Sequence, residues 1–361
     1  MSTNIHESFL QLVRLGIGTS KDVSIPIEVD WIGLKTLADR QGLSAVVLDG
    51  IDKLNTNSTS QLSLELKLEW IGEVIRNYEQ RYAAYEKAIG ALAGFYNRHG
   101  YKMMVLKGYA CSLSWPKPEH RPCGDIDIWQ FGQWKEADKC LAENKRKIKI
   151  DSNHHHHTVF KWQGFSVENH YDFVNVHHSK SNAKLECVFK ELGADDSYSI
   201  EVNGERVYLP SPNLHALFLL RHMMIEFAAS SASLRQLADW AFYAKMHKEE
   251  IDWTWLDDIL ERYGMKRLYD VFNSICIGDL GFDVNIFPKV QFDTSIKDKV
   301  LNEILSPAIP NEKPKNVFAR MVWKWHRWKA NEWKHQLVYK ESMWSSFWSG
   351  VWNHLLKPSS I

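Results

Sequence analysis

Two carboxylates stand one residue apart in RPCGDIDIWQ, the stretch from Arg121 to Gln130. Asp125 and Asp127 alternate with Ile126 and Ile128, the pattern of a strand. Alternate side chains of a strand leave on opposite faces, so the aspartates share one face and the isoleucines the other. Like charges held so close repel, at a cost on the order of a few kcal/mol where solvation is poor. A divalent cation removes that cost. Mg²⁺ takes hard oxygen ligands, usually one or two carboxylates completed by waters and substrate phosphates. The chemistry implied is phosphoryl transfer, in which metal ions hold the attacking and leaving oxygens.

A third acid usually completes such a site, and VENHYDF (Val167 to Phe173) supplies one. Glu168 lies on a predicted strand with His170 on its face and apolar Val167 on the other. An acid in mid-strand is the kind of local conflict that marks function. Upstream, VLKG places Lys107 at a strand end and Gly108 where backbone amides can approach a phosphate closely. Arg121, four residues before Asp125, can balance charge on a phosphate oxygen. Each has a plainer reading beside it: a surface lysine, a structural salt bridge for Arg121, a hydrogen-bonded strand histidine for His170.

Two further groups are weighed the same way. The run His154 to His157 projects alternate members to one face and could hold zinc. It lacks a cysteine partner and a clear third ligand, so a solvated strand edge beside the cleft is preferred. His222, Arg235 and Asp239 fall on helical segments and could line the cleft. A buried Arg235–Asp239 pair at i, i+4 is the favoured reading. His177 and His178 receive no role.

The elements that must position these residues follow from periodicity. Residues 5 to about 100 read as helical, with Gly42 as a stop and a long amphipathic helix ending at Gly100. Residues 101–210 form a mixed block. KMMVLK is strand-like, the aspartate strand follows, QWKEADKCLAEN is helical, and HTVFKW with FSVENHY makes a hairpin about Gly164. Residues 211–361 return to helix, with Ser211 as N-cap and Pro212 at the first helical position. VDWIGLKTLADRQGL (Val29 to Leu43) and IDWTWLDDILERYGM (Ile251 to Met265) echo each other. Asp30 and Asp252 would cap those helices, with Trp31, Trp253, Leu34 and Leu256 packing inward. Two occurrences make similar capped helices rather than a solenoid. The expectation is an α+β protein: a helical N-terminal region (1–100), an α/β core (101–210) and a helical C-terminal region (211–361).

Composition sets the bounds. The 361 residues suggest one large or two modest domains, and 45% hydrophobic with 24% charged residues is ordinary for a globular protein with a core. Formal net charge is zero, so no global field favours nucleic acid or an anionic membrane. The opening MSTNIHESFLQLVRLG has no signal-peptide pattern, and no run approaches the roughly 18 apolar residues of a spanning helix. Five scattered cysteines without CxxC spacing fit reduced thiols in a cytoplasm. The C-terminal tail sets Trp344, Trp348 and Trp352 at helical steps among Lys and Arg. An interfacial membrane helix or base stacking would use such residues. The default is a stripe packed on the protein body or at a homodimer contact.

Taken together, VLKG, RPCGDIDIW and VENHYDF resemble the uncharacterised nucleotidyltransferase family of the polymerase-β-like superfamily. The flanking DWIGLKTLADRQGL and LHALFLLRHMMIEF…SLRQLADWAFYAK look like that family's helices, so the resemblance spans roughly residues 5 to 300. It implies that Asp125 and Asp127 ligate Mg²⁺ or Mn²⁺. Glu168 would be the third acid, either completing the metal site or taking the acceptor's proton. Lys107, Gly108, Arg121 and His170 would bind an NTP. The implied reaction moves an NMP group to an unidentified hydroxyl-bearing acceptor by positioning and electrostatics. The wider superfamily usually has Gly-Ser where this chain has Lys107-Gly108, and commonly Asp for its third acid. Two rivals remain: an inactive binding protein of the same fold, and a D-x-D glycosyltransferase. The latter would normally carry a larger sheet ahead of Asp125.

Overall fold

Asp30 accepts a hydrogen bond from the Gly33 N–H at 2.9 Å and so opens helix α2 (Trp31–Gln41), which lies between α1 (Ser2–Ile17) and α3 (Ser44–Asp52). Gly42 ends α2 in the left-handed region, at φ 68°, with its N–H on the last carbonyls. The computed structural model describes residues 2–26, 28–54, 62–177, 179–230, 232–309, 314 and 316–340. His178, Trp344, Trp348 and Trp352 lie outside the described residues. The long helix is α4 (Leu64–Val74) and α5 (Gln80–Arg98), joined through a wider π turn over Ile75–Glu79.

The chain then builds a six-stranded mixed sheet. Its strands are β1 (Met104–Val105), β2 (Ile126–Trp129), β3 (His157–Trp162), β4 (Phe165–His170), β5 (Ser199–Val202) and β6 (Glu205–Tyr208). They lie in the order β3-β4-β2-β1-β6-β5, parallel at β4/β2 and β1/β6 and antiparallel elsewhere. Helices α6 (Lys107–Ser112), α7 (Trp134–Asn144) and α8 (Lys180–Leu192) are interleaved with the strands. After the sheet come α9 (Pro212–Ala229), α10 (Leu234–Met246), α11 (Trp253–Arg262), α12 (Lys266–Gly278), α13 (Thr294–Leu305), α14 (Val317–Ala330) and α15 (Glu332–Val338). This is the expected α+β class, and no described helix is long and apolar enough to cross a membrane.

The strand alternation sorts the core. Ile126 and Ile128 of β2 and Val167 of β4 pack with Tyr85, Ile89, Leu92 and Tyr96 of α5 in one cluster. Met104, Leu106, Trp129 and Tyr208 belong to a second cluster, with α9, α10 and the N-terminal helices. The sheet is therefore covered on both faces, and the second cluster draws residues from both ends of the chain. Asp252 caps α11 by accepting from Thr254 and Trp255 N–H, as expected, and Leu256 is buried while Trp253 is partly so. Ser211 precedes α9, but its side chain makes no capping bond.

Two local expectations need correction. KMMVLK is strand only over Met104–Val105, because the backbone turns at Lys107 (φ 38°) and enters α6 at once. The His154–His157 run is not a strand edge either. Its first three residues form a bend, and β3 starts at His157. The Tyr171 and Asp172 N–H groups both donate to the His156 carbonyl, at 3.0 and 3.1 Å, which closes the hairpin mouth and ends the alternation there.

Candidate active site

Asp127 and Glu168 are register partners on the adjacent parallel strands β2 and β4. Side chains opposite each other in a ladder leave on the same face, so the two acids meet although 41 positions separate them in sequence. Asp127, Glu168 and His170 each offer a ligand atom within 4.8 Å of the others. Asp125 stands just before β2, exposed, and lines the same cleft without joining that tight group.

Charge organises the cluster. Lys107 sets its ammonium 2.6 Å from Asp127 Oδ1, and His170 Nε2 lies 3.0 Å from the same oxygen. Burial works to raise the Asp127 carboxyl, but the Lys107 charge and the His170 bond hold it well below the usual carboxylate range. Glu168 goes the other way. Burial, with the negative charge of Asp127 and Asp125 added, pushes its carboxyl up to about 7, against the pull of Lys107. Two neighbouring acids are thus split into one firmly charged and one able to carry a proton near neutrality, the pattern by which acid and base roles are divided.

The cleft encloses about 310 Å³. One wall is Lys107, Gly108, Asp125, Asp127 and Glu168. The other comes from α9 and α10: His222, Glu226, Arg235 and Gln236. Gly108 belongs here for a packing reason. A Cβ on it would lie 2.5 Å from the Tyr85 hydroxyl, which donates to the Asp125 carbonyl at 2.7 Å. Gly108 thus lets α6 close on Tyr85 and so helps set the height of the aspartate strand.

Arg121 lines the cleft, but its guanidinium is committed to an ion pair with Asp239. It is buried and gives Nε and Nη2 to the two Asp239 oxygens at 2.7 and 3.0 Å. Nη1 goes to the Pro122 carbonyl, and Trp115 Nε1 also donates to Asp239 at 2.8 Å. Asp239 is therefore taken, and the favoured Arg235–Asp239 pair does not form. Arg235 instead turns into the cleft, where it makes no hydrogen bond or ion pair among the described residues. His222 binds Glu226 at 2.9 Å, and Gln236 Nε2 donates to the same carboxylate at 2.5 Å. Glu226 and Gln236 were missed by sequence reasoning. On a helix of buried apolar residues, the polar His222 and Glu226, one turn apart, were the available signal.

The chain matches the uncharacterised nucleotidyltransferase family over residues 28–276. That range takes in the sheet, the acids and both walls of the cleft. The chain belongs to this family. Membership supports nucleotidyl transfer as the general reaction class of this nucleotidyltransferase-family protein. Among solved structures, an antigenic nucleotidyltransferase-like protein from Paracoccidioides brasiliensis is similar at 13% identity and a TM-score of 0.33. That similarity covers 45% of this chain and 75% of the other. No curated protein matches the chain.

Proposed function

We propose that this protein transfers an NMP group from an NTP to a hydroxyl-bearing acceptor, with Mg²⁺ or Mn²⁺ held by Asp125, Asp127 and Glu168. The observation that carries this reading is the register match of Asp127 and Glu168 at the floor of an open cleft that Asp125 also lines. The donor set suits a hard divalent cation: three carboxylates line one cleft, and Glu168 is hard to ionise partly because its neighbours are already negative. The chemistry supplied by the bound cation is neutralisation of charge on the phosphate oxygens.

The chain's own groups do the rest. In the reaction the acceptor oxygen bonds to the α-phosphorus and the bond to pyrophosphate breaks. Where Glu168 does not ligate the cation, its carboxylate is placed to take the hydroxyl proton. Lys107 and Arg235 supply positive charge on opposite walls, suited to the phosphates. His170 orients Asp127 through its 3.0 Å contact. Arg121 is a positioning residue, since it ties the segment before β2 to α10 through Asp239. Five free cysteines support a reducing, cytoplasmic setting.

The test incubates the protein with Mg²⁺ or Mn²⁺, each α-labelled NTP and a cell extract as acceptor source. Wild type should yield a labelled product and pyrophosphate. The folded Asp125→Ala/Asp127→Ala variant should yield neither. A silent wild type, or a variant equal to it, would end the enzyme reading.

A further inference from the structure

His156, His157 and His170 bring three imidazoles together at the mouth of the β3–β4 hairpin, with one ligand nitrogen of each within 4.8 Å of the others. His157 and His170 are antiparallel register partners, so their rings leave on one face. His156 precedes β3, where the backbone has turned off the ladder, and its ring closes on the pair. Ring centroids lie 4.4 Å apart for His156–His157, 5.3 Å for His157–His170 and 5.6 Å for His156–His170.

These rings are withdrawn from water: His157 and His170 are buried and His156 is half-buried. Nδ1 of His156 and Nδ1 of His157 are nevertheless buried without a hydrogen-bond partner among the described residues. Glu168 Oε2, 3.8 Å from His157 Nδ1, is too far to serve. Buried polar atoms are nearly always paired, so two orphaned ring nitrogens within one imidazole cluster call for a partner. His170 carries the support a metal-bound imidazole commonly has. Its Nδ1 lies 3.3 Å from the Asp172 carbonyl and its Nε2 3.0 Å from Asp127, so an ion would take one of these nitrogens by exchange for its present contact.

We propose that His156, His157 and His170 bind a transition-metal ion of the Zn²⁺ class, at a nitrogen-donor site that meets the carboxylate cluster at His170. Three imidazoles suit Zn²⁺, Co²⁺ or Ni²⁺ and are a poor match for Mg²⁺, which prefers oxygen. Metal–nitrogen bonds of about 2.0–2.1 Å put two ligands of one ion no more than about 4.2 Å apart, so small side-chain rotations complete the site. Filling it would pin the hairpin mouth against the acid cluster through His170. This inference does not depend on nucleotidyl transfer.

The test strips the full-length protein with a chelator and titrates it with Co²⁺, read by visible d–d absorption. One equivalent should bind, be displaced by Zn²⁺ and resist excess Mg²⁺. His156→Gln and His157→Gln should each weaken Co²⁺ binding at least about tenfold. Their folding is checked by circular dichroism. Zn²⁺ should also raise the unfolding temperature of wild type, a readout independent of the variants. The double change His154→Gln/His155→Gln should leave binding intact. So should Asp125→Asn, which separates a dead transferase from an empty imidazole site. The proposal is overturned if no stoichiometric ion binds. It is equally overturned if binding follows His154 and His155 instead, the behaviour of a loose histidine run.

Discussion

Asp239 shows how much one residue can decide. It accepts three hydrogen bonds, two from Arg121 and one from Trp115, and is buried at the edge of the cleft. Removing one partner of a buried ion pair leaves the other charge uncompensated and costs about 3–5 kcal/mol. Asp239→Asn should therefore lower unfolding free energy by roughly 3 kcal/mol in urea denaturation. It should also lower kcat, because the aspartate strand follows Arg121 directly. Glu186 is a buried side chain on α8 that accepts from the Phe173 and Val174 N–H groups, both at 3.0 Å. Burial pushes its carboxyl up to about 7 despite those bonds. A raised carboxyl means the folded state holds its proton longer than the unfolded chain. Stability from this group is complete below about pH 4.5 and is lost as pH rises through about 7, by roughly 3 kcal/mol in all. Glu186→Gln should flatten that part of the stability–pH curve, as measured by denaturant titrations across the window.

At the scale of elements, the site depends on two strands and one short helix meeting at a fixed height. The β4 hairpin turns through Gln163 and Gly164, both at positive φ (46° and 89°), which favours a tight two-residue connection and fixes its register. A one-residue slip against β2 would send Glu168 to the α5 face, burying an acid beside Ile126 and Ile128, and would turn Val167 away from it. The helix side is controlled by Gly108. Gly108→Ala would drive a methyl against the Tyr85 hydroxyl, which sits between α5 and the Asp125 carbonyl. The expected loss is about 1–3 kcal/mol in denaturant unfolding, accompanied by weaker activity. If stability and activity are both unchanged, Gly108 is not there for packing.

Across the whole molecule, the N-terminal helices are sewn to the C-terminal ones. Gln41 Nε2 donates to the Ile304 carbonyl at 2.8 Å, and Gln41 Oε1 accepts from Leu234 N–H at 2.9 Å. Arg14 Nε donates to the Asp279 carbonyl at 2.7 Å, and Thr19 to Leu280 at 2.6 Å. The sheet needs cover from both sides, α5 on one face and α9 with α10 on the other. An isolated fragment of residues 101–210 would lose α5 from one face and α9 with α10 from the other. It should show no cooperative urea transition and little near-ultraviolet circular dichroism, whereas the full chain should show both.

Local pattern was enough to read the strand carrying Asp127, though Asp125 stands one residue before it, the hairpin carrying Glu168 and His170, and the caps at Asp30 and Asp252. Strand alternation, turn residues and cap side chains act over a few positions, so they are written in the sequence directly. The partners of the charges were not. Arg235 and Asp239 stand at helical spacing, yet Asp239 goes to Arg121, 118 positions away, and the freed guanidinium faces the cleft. His156, His157 and His170 likewise meet only because β3 folds back on β4. Which ion pairs with which is settled by burial and geometry between distant segments, and only the tertiary structure decided that.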